Sequence, residues 1–273
     1  MSDCGKAIRL RRILGNPVTR ALVVAFDHAL VLGPIPGTED ARGQLRRFTA
    51  CEIDSLLVNL GILRQCQEVL STAGRLPGLI ARIDWTSMWG ELGPGGTGQL
   101  HSSMLATAEE ALRSGADAVL TYMVVGTGDL EFEAAEIGRN ACVARECERV
   151  GMPFMVETLA RGTNVTNPTE PKWLNLHTRM AAELGADVIK TEYSGDVASM
   201  KSVVEQCPIP ILVLGGSRDN SDGKVLDLVK DVVSAGAAGV FFGRNVFQAS
   251  DMEGFLKKSR QILNSPGRTG ASN

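Results

Sequence analysis

The stretch Leu184–Tyr193 reads LGADVIKTEY, and its first half decides the fold. A helical pattern, Trp173–Leu184 (WLNLHTRMAAEL), runs into Gly185, which stops it. Ala186–Ile189 is then a short apolar run, as expected of a strand buried on both faces of a parallel sheet. The same punctuation recurs at Ser114–Leu120 (SGADAVL) and Ala235–Phe241 (AGAAGVF). A glycine at a helix C-cap followed at once by a buried strand is the αβ turn of a repeated βα unit. Lys190 breaks the apolar run, and an ammonium is costly to bury. Its presence there needs a reason.

Outward from this stretch, short apolar segments recur along the chain. They are Ala21–Phe26, Ile53–Asn59, Leu79–Ile83, Ala116–Met123, Pro153–Thr158, Asp187–Thr191, Ile209–Leu214 and Gly239–Phe242. Helical patterns lie between them, with apolar residues recurring at three and four: Ser103–Ser114, Leu130–Val150, Trp173–Leu184 and Gly223–Ser234. Eight strands alternating with helices over roughly 250 residues describe an α/β chain folded as a single (β/α)8 TIM barrel. A doubly wound open sheet would place its phosphate glycines after the first strand, and FDHALVLGPIPG there contains no G-x-G-x-x-G. The barrel is expected over 1–264, with a flexible tail over 265–273 (SPGRTGASN).

Composition narrows the function classes. The chain has 273 residues, 44% hydrophobic and 22% charged, enough to bury a large core. A formal net charge of −3 supplies no basic field for nucleic acid or an anionic membrane. No run of 18 apolar residues could span a bilayer, and the N-terminus lacks a cleavable leader pattern, so a cytoplasmic protein is expected. The six cysteines show no CxxC pair and no metal-ligand spacing with His28, His101 or His177, so free structural thiols are expected.

Barrel chemistry sits at the C-terminal strand ends. Those ends offer Asp27 and His28 after strand one, then Arg82 and Asp84 after strand three, two apart and so on one face. Tyr122 follows on strand four, Glu157 on strand five, and Lys190 and Glu192 on strand six. Strand seven ends in Gly215, Gly216, Ser217 and Arg218, and strand eight in Gly243 and Arg244. The last two loops suit a phosphate, because glycines let the backbone approach an anion and arginines add forked donors. The same glycines could serve only as tight turns. Lys190, desolvated or crowded by a second cation, would lose proton affinity and become a nucleophile for a carbonyl. Equally, it could pair with Glu157, Glu192 or Asp27 and brace the barrel. His101 and His177 read as surface loop and helix positions, and His28 as a residue that orients its loop.

At these residues the chain resembles the DhnA-type class I aldolases, which include archaeal-type fructose-bisphosphate aldolases, aminodideoxyheptulosonate synthases and the thiolase acting on phosphorylated autoinducer-2. The matching segments are FDHALVLGPIPGTED (Phe26–Asp40), GADVIKTEYSGD (Gly185–Asp196), ILVLGGSR (Ile211–Arg218) and GVFFGRNVFQ (Gly239–Gln248). The resemblance implies a barrel acting on a small phosphorylated keto or aldehyde substrate. It implies Lys190 as the Schiff-base lysine, Asp27 as a partner in proton transfer, and GGSR and GRN as phosphate loops. It also implies a homo-oligomer and chemistry that needs no metal or other cofactor, since the iminium withdraws electrons.

Departures accompany it. Family aldolases commonly carry Tyr-Pro-Arg-Gly after strand five, whereas this chain has Leu159-Ala160-Arg161-Gly162. Leu159 stands at the tyrosine's position and moves no proton, so Glu157 or Tyr122 would have to take over. Asp27-His28-Ala29 replaces the usual Asp-His-Gly, and the loop TSMWGELGPGGTG (Thr86–Gly98) is rich in Trp and Gly. These differences keep the lysine chemistry and point away from fructose 1,6-bisphosphate. The expected activity is reversible carbon–carbon cleavage of a phosphorylated keto sugar through Lys190. An acyl-transferring or transaldolase-like synthase on the same scaffold, or a phosphosugar-binding barrel without catalysis, are the alternatives.

Overall fold

The computed structural model describes residues 4–15, 19–87, 100–216 and 221–265. Eight parallel strands close into a barrel: β1 (Ala21–Phe26), β2 (Ser55–Asn59), β3 (Gly78–Arg82), β6 (Ala118–Val125), β7 (Phe154–Ala160), β8 (Val188–Thr191), β9 (Ile211–Leu214) and β10 (Gly239–Phe242). Their order around the barrel is the chain order, and β1 closes it against β10 through Ala21–Val24 and Gly239–Phe242. Between β3 and β6 in the chain, β4 (Asp84–Thr86) and β5 (Ser102–Met104) form a small antiparallel pair.

Strand alternation builds two cores. Ala21, Val23, Ala25, Leu57, Leu120, Met155 and Leu212 pack together inside the barrel. Leu22, Val24, Phe26, Leu56, Val119 and Val156 point outward against the helices. The helix Cys4–Leu14 closes the N-terminal end: Ile13 joins the inner core, and its carbonyl accepts from the buried Ser55 hydroxyl at 3.1 Å. The αβ turns follow the sequence expectation, with Gly115, Gly185 and Gly236 all at positive φ, where a side chain would be strained. The aspartates of these turns add a device of their own. Asp117 and Asp187 each accept a backbone N–H from the first two residues of the preceding barrel strand, from Leu79 at 3.1 Å and Phe154 at 2.8 Å. Asp54, ahead of β2, does the same for Leu22 at 2.8 Å.

One helix expectation is corrected. The pattern over Ser103–Ser114 is helical only from Ala108 to Arg113. Thr107 and Glu110 form a capping box that fixes the start, while the N–H groups of Leu105 and Ala106 turn back to the Ile83 carbonyl at 2.8 and 3.2 Å. Ser102–Met104 is thereby left to pair as β5. The loop expected to be rich in Trp and Gly lies, from residue 88, outside the described residues, as does the tail beyond Ser265.

Candidate active site

Register alone brings the central side chains together. Tyr122 pairs with Glu157 across β6 and β7, and Glu157 pairs with Lys190 across β7 and β8. Residues level with one another on adjacent parallel strands point to the same face, here the barrel interior. Arg82 lies level with Leu120 and so shares the inward face with Tyr122, two residues further along β6. Asp27 follows Ala25 at the same alternation beyond the end of β1.

Their polar contacts form one network. Lys190, only 5% exposed, places its Nζ 2.9 Å from Glu157 Oε2 and 4.6 Å from the Phe241 ring centre. Arg82 is 1% exposed and donates to three carboxylates: Nε to Asp27 Oδ2 at 2.5 Å, Nη1 to Asp84 Oδ1 at 3.2 Å, and Nη2 to Glu157 Oε2. Its guanidinium also lies over the Tyr122 ring, 3.7 Å from the centroid. Asp84 is fixed in turn by the Tyr122 N–H at 2.7 Å and by Arg139 Nη1 at 2.5 Å, and Arg139 is held by Glu136. A charge this deep stands only when paired and hydrogen-bonded, and every one of these groups is.

The environment sorts the proton affinities. Burial opposes ionisation of Asp27, but the charges of Arg82 and Lys190 outweigh it and hold its carboxyl below the usual range. Burial pushes the Tyr122 phenol well above its ordinary value, against the pull of Arg82 and with help from Glu157 and Asp27. Tyr122 is therefore a protonated donor at neutral pH. Burial likewise lowers the His28 imidazole, with Asp27 opposing, so His28 is neutral at neutral pH.

Asp27, His28, Tyr122, Glu157, Lys190 and Glu192 line one cavity of about 380 Å³, together with Leu159, Arg161, Gly216 and Arg244. Glu192 does not approach Lys190 as an ion-pair partner; it accepts both guanidinium nitrogens of Arg161, at 2.8 and 2.9 Å. Arg82 and Asp84 lie beneath the cavity and act on it through Asp27 and Glu157. Gly215 and Gly243 are backbone supports: the Gly215 carbonyl accepts from Asn245 Nδ2 at 2.7 Å, and a Cβ at Gly243 would overlap the His28 ring. Ser217 and Arg218 lie outside the described residues. Leu159 faces the cavity beside Glu157, where the family tyrosine would stand.

Two residues escaped the sequence reading. Arg161 is a cavity residue, and its signal was its place one residue past a strand that ends in the cavity wall. His177 was read as a surface position and is fully buried on the inner face of the helix Pro171–Glu183. His101 is exposed, as read.

Eight parallel strands around a buried lysine and carboxylate cluster place the molecule among barrel aldolases. The chain belongs to the DeoC/LacD family of aldolases, whose model matches residues 21–249. It is 36% identical to 2-amino-3,7-dideoxy-D-threo-hept-6-ulosonate synthase of Halobacterium salinarum over 91% of this chain and 87% of that protein. It is 30% identical to 2-amino-4,5-dihydroxy-6-oxo-7-(phosphonooxy)heptanoate synthase of Streptomyces griseus over 98% and 93%. Among solved structures, a Schiff-base-forming fructose-1,6-bisphosphate aldolase superposes with a TM-score of 0.81 at 26% identity, covering 94% of this chain and 99% of that one.

Proposed function

We propose that this chain is a Schiff-base-forming class I aldolase acting on a phosphorylated keto compound, with Lys190 as the nucleophile. The observation that carries the reading is Lys190 itself: a nearly buried amine in the wall of an open cavity, 2.9 Å from a carboxylate. A bracing lysine would need the carboxylate but no access to a cavity.

The chemistry then follows from the neighbours. The Lys190 ammonium gives its proton to water, and the free amine adds to the substrate carbonyl. The carbinolamine loses water to give an iminium. A carboxylate, Asp27 or Glu157, removes the proton from the hydroxyl β to the iminium carbon. The carbon–carbon bond breaks, its electron pair neutralises the iminium as an enamine, and an aldehyde leaves. Tyr122, held protonated by burial, returns a proton to carbon in this reading. Water then releases the ketone and restores Lys190. Gly216 and Arg244 hold the phosphate.

Run in reverse, the same steps join two carbonyl compounds. The similar proteins named as synthases favour that direction. Product analysis with and without a thiol acceptor such as coenzyme A separates a plain aldol reaction from acyl transfer. Lys190→Ala removes one charge from a paired site and should abolish both turnover and adduct formation. A Lys190→Ala protein with undiminished activity contradicts the role.

A further inference from the structure

The cavity's charges are arranged unevenly. Its wall carries three carboxylates, Asp27, Glu157 and Glu192, and three cations, Lys190, Arg161 and Arg244. Asp27 is taken by Arg82, and Glu157 is shared by Arg82 and Lys190. Glu192 and Arg161 close on each other as a bidentate fork at 2.8 and 2.9 Å. Arg244 differs. Among the described residues no carboxylate pairs with it, and its buried Nε has no hydrogen-bond partner. His28, beside it in the wall, adds no charge at neutral pH. The two arginines sit over different strands, Arg161 past the end of β7 and Arg244 past the end of β10, with Lys190 on β8 between them.

We propose that the site takes a substrate with a single phosphate, bound at Arg244 and Gly216, and that the Arg161–Glu192 pair receives a tail with no net charge and rejects a second phosphate. This rests on the reading of the cavity as the aldolase site and names its substrate class. An unpaired guanidinium with a buried orphan donor gains a charge-assisted bond from an anion. Arg161 has no such donor pair to give, because a carboxylate already fills its fork. A second phosphate over β7 and β8 would have to displace Glu192 and then lie against it, and like charges brought together there repel. Hydroxyl groups, or an ammonium and carboxylate on one carbon, can bond to both halves of the pair without breaking it. Discrimination here comes from Glu192 acting against the wrong ligand as much as from Arg244 acting for the right one.

Hexitol phosphates test this apart from the chemistry, since they lack a carbonyl and form no Schiff base. By calorimetry the wild-type protein should bind a hexitol 1-phosphate at least ~10-fold more tightly than the 1,6-bisphosphate. Arg244→Ala should weaken the monophosphate ~10-fold or more. Glu192→Gln, which keeps shape and leaves the Arg161 charge uncompensated, should narrow or reverse the preference. A wild-type protein that binds the bisphosphate as tightly as the monophosphate, or binds neither, overturns the proposal. So does a folded Glu192→Gln with an unchanged ratio. If that variant does not fold, the wild-type ratio decides. Failure of the aldolase reading shows elsewhere, as absence of a borohydride-trapped adduct with dihydroxyacetone phosphate, a ligand with one phosphate and no tail.

Discussion

Glu157 Oε2 lies between two cations, Lys190 at 2.9 Å and Arg82 closer still. The sequence reading allowed it to pair with Lys190 or to move protons; the structure gives it Lys190 and Arg82 at once. Arg82 also fixes Asp27, so one buried guanidinium sets the positions of both carboxylates next to the lysine. Glu157→Gln keeps the shape and removes the proton function. It should still yield the trapped adduct with a phosphorylated ketone while turnover falls ~10²–10⁴-fold, the usual size of an acid–base contribution. Adduct and turnover falling together would assign Glu157 to tuning Lys190 instead. His177 carries a separate prediction. Burial, and then the charge of Arg161, lower its pKa from 6.5 to about 3, and neither ring nitrogen has a hydrogen-bond partner among the described residues. The unfolded chain therefore binds this proton first as pH falls. Above pH 6.5 the group contributes nothing to pH dependence. Between 6.5 and about 3 it removes up to ~1.4 kcal/mol of stability per pH unit. Denaturant titrations of His177→Leu at pH 7 and pH 5 should show a smaller loss on acidification than wild type. Equal losses would mean that His177 titrates normally.

At the scale of elements, the αβ turns show what the chain encodes openly and what it conceals. The glycine stops were legible because a left-handed C-cap leaves a residue type behind. The aspartates in the same turns were visible too, but their task was not: each satisfies a strand-opening N–H on a neighbouring strand, 38 residues away for Asp117 and 33 for Asp187. Such a partner becomes known only when the barrel order is known. Asp187→Ala should cost about 1.5–3 kcal/mol in denaturant unfolding, the range for a hydrogen bond to a charged group. Its ion pair with Lys6, at 3.0 Å, is lost with it. A loss under 0.5 kcal/mol would show that water replaces the carboxylate. The helix over Ser103–Ser114 failed in its first half for a related reason. Apolar spacing does not say where a helix begins, whereas Thr107 and Glu110, four positions in, do. At β6–β8 the reverse holds. Tyr122, Glu157 and Lys190 were each found as polar breaks near strand ends, and the parallel register then placed them side by side.

Over the whole molecule, eight strands and their helices were legible because burial on both faces writes itself as short continuous apolar runs. The plug helix Cys4–Leu14 was not, since its basic residues hide the apolar residues, Leu10, Ile13 and Leu14, that pack at the inner core. The same limit applies to Arg161 and His177, whose roles depend on what they face and not on what precedes them. The barrel holds a lysine in a nearly dry wall, keeps two carboxylates beside it through one buried arginine, and leaves a second arginine, two strands away, with no ion-pair partner among the described residues. The central claim is that Lys190 forms a Schiff base with a phosphorylated ketone. Incubation with dihydroxyacetone phosphate and sodium borohydride, followed by intact-mass analysis and peptide mapping, tests it directly. One reduced phosphotriose per chain, located on Lys190, is the predicted result. No adduct, or an adduct on any other lysine, would contradict it.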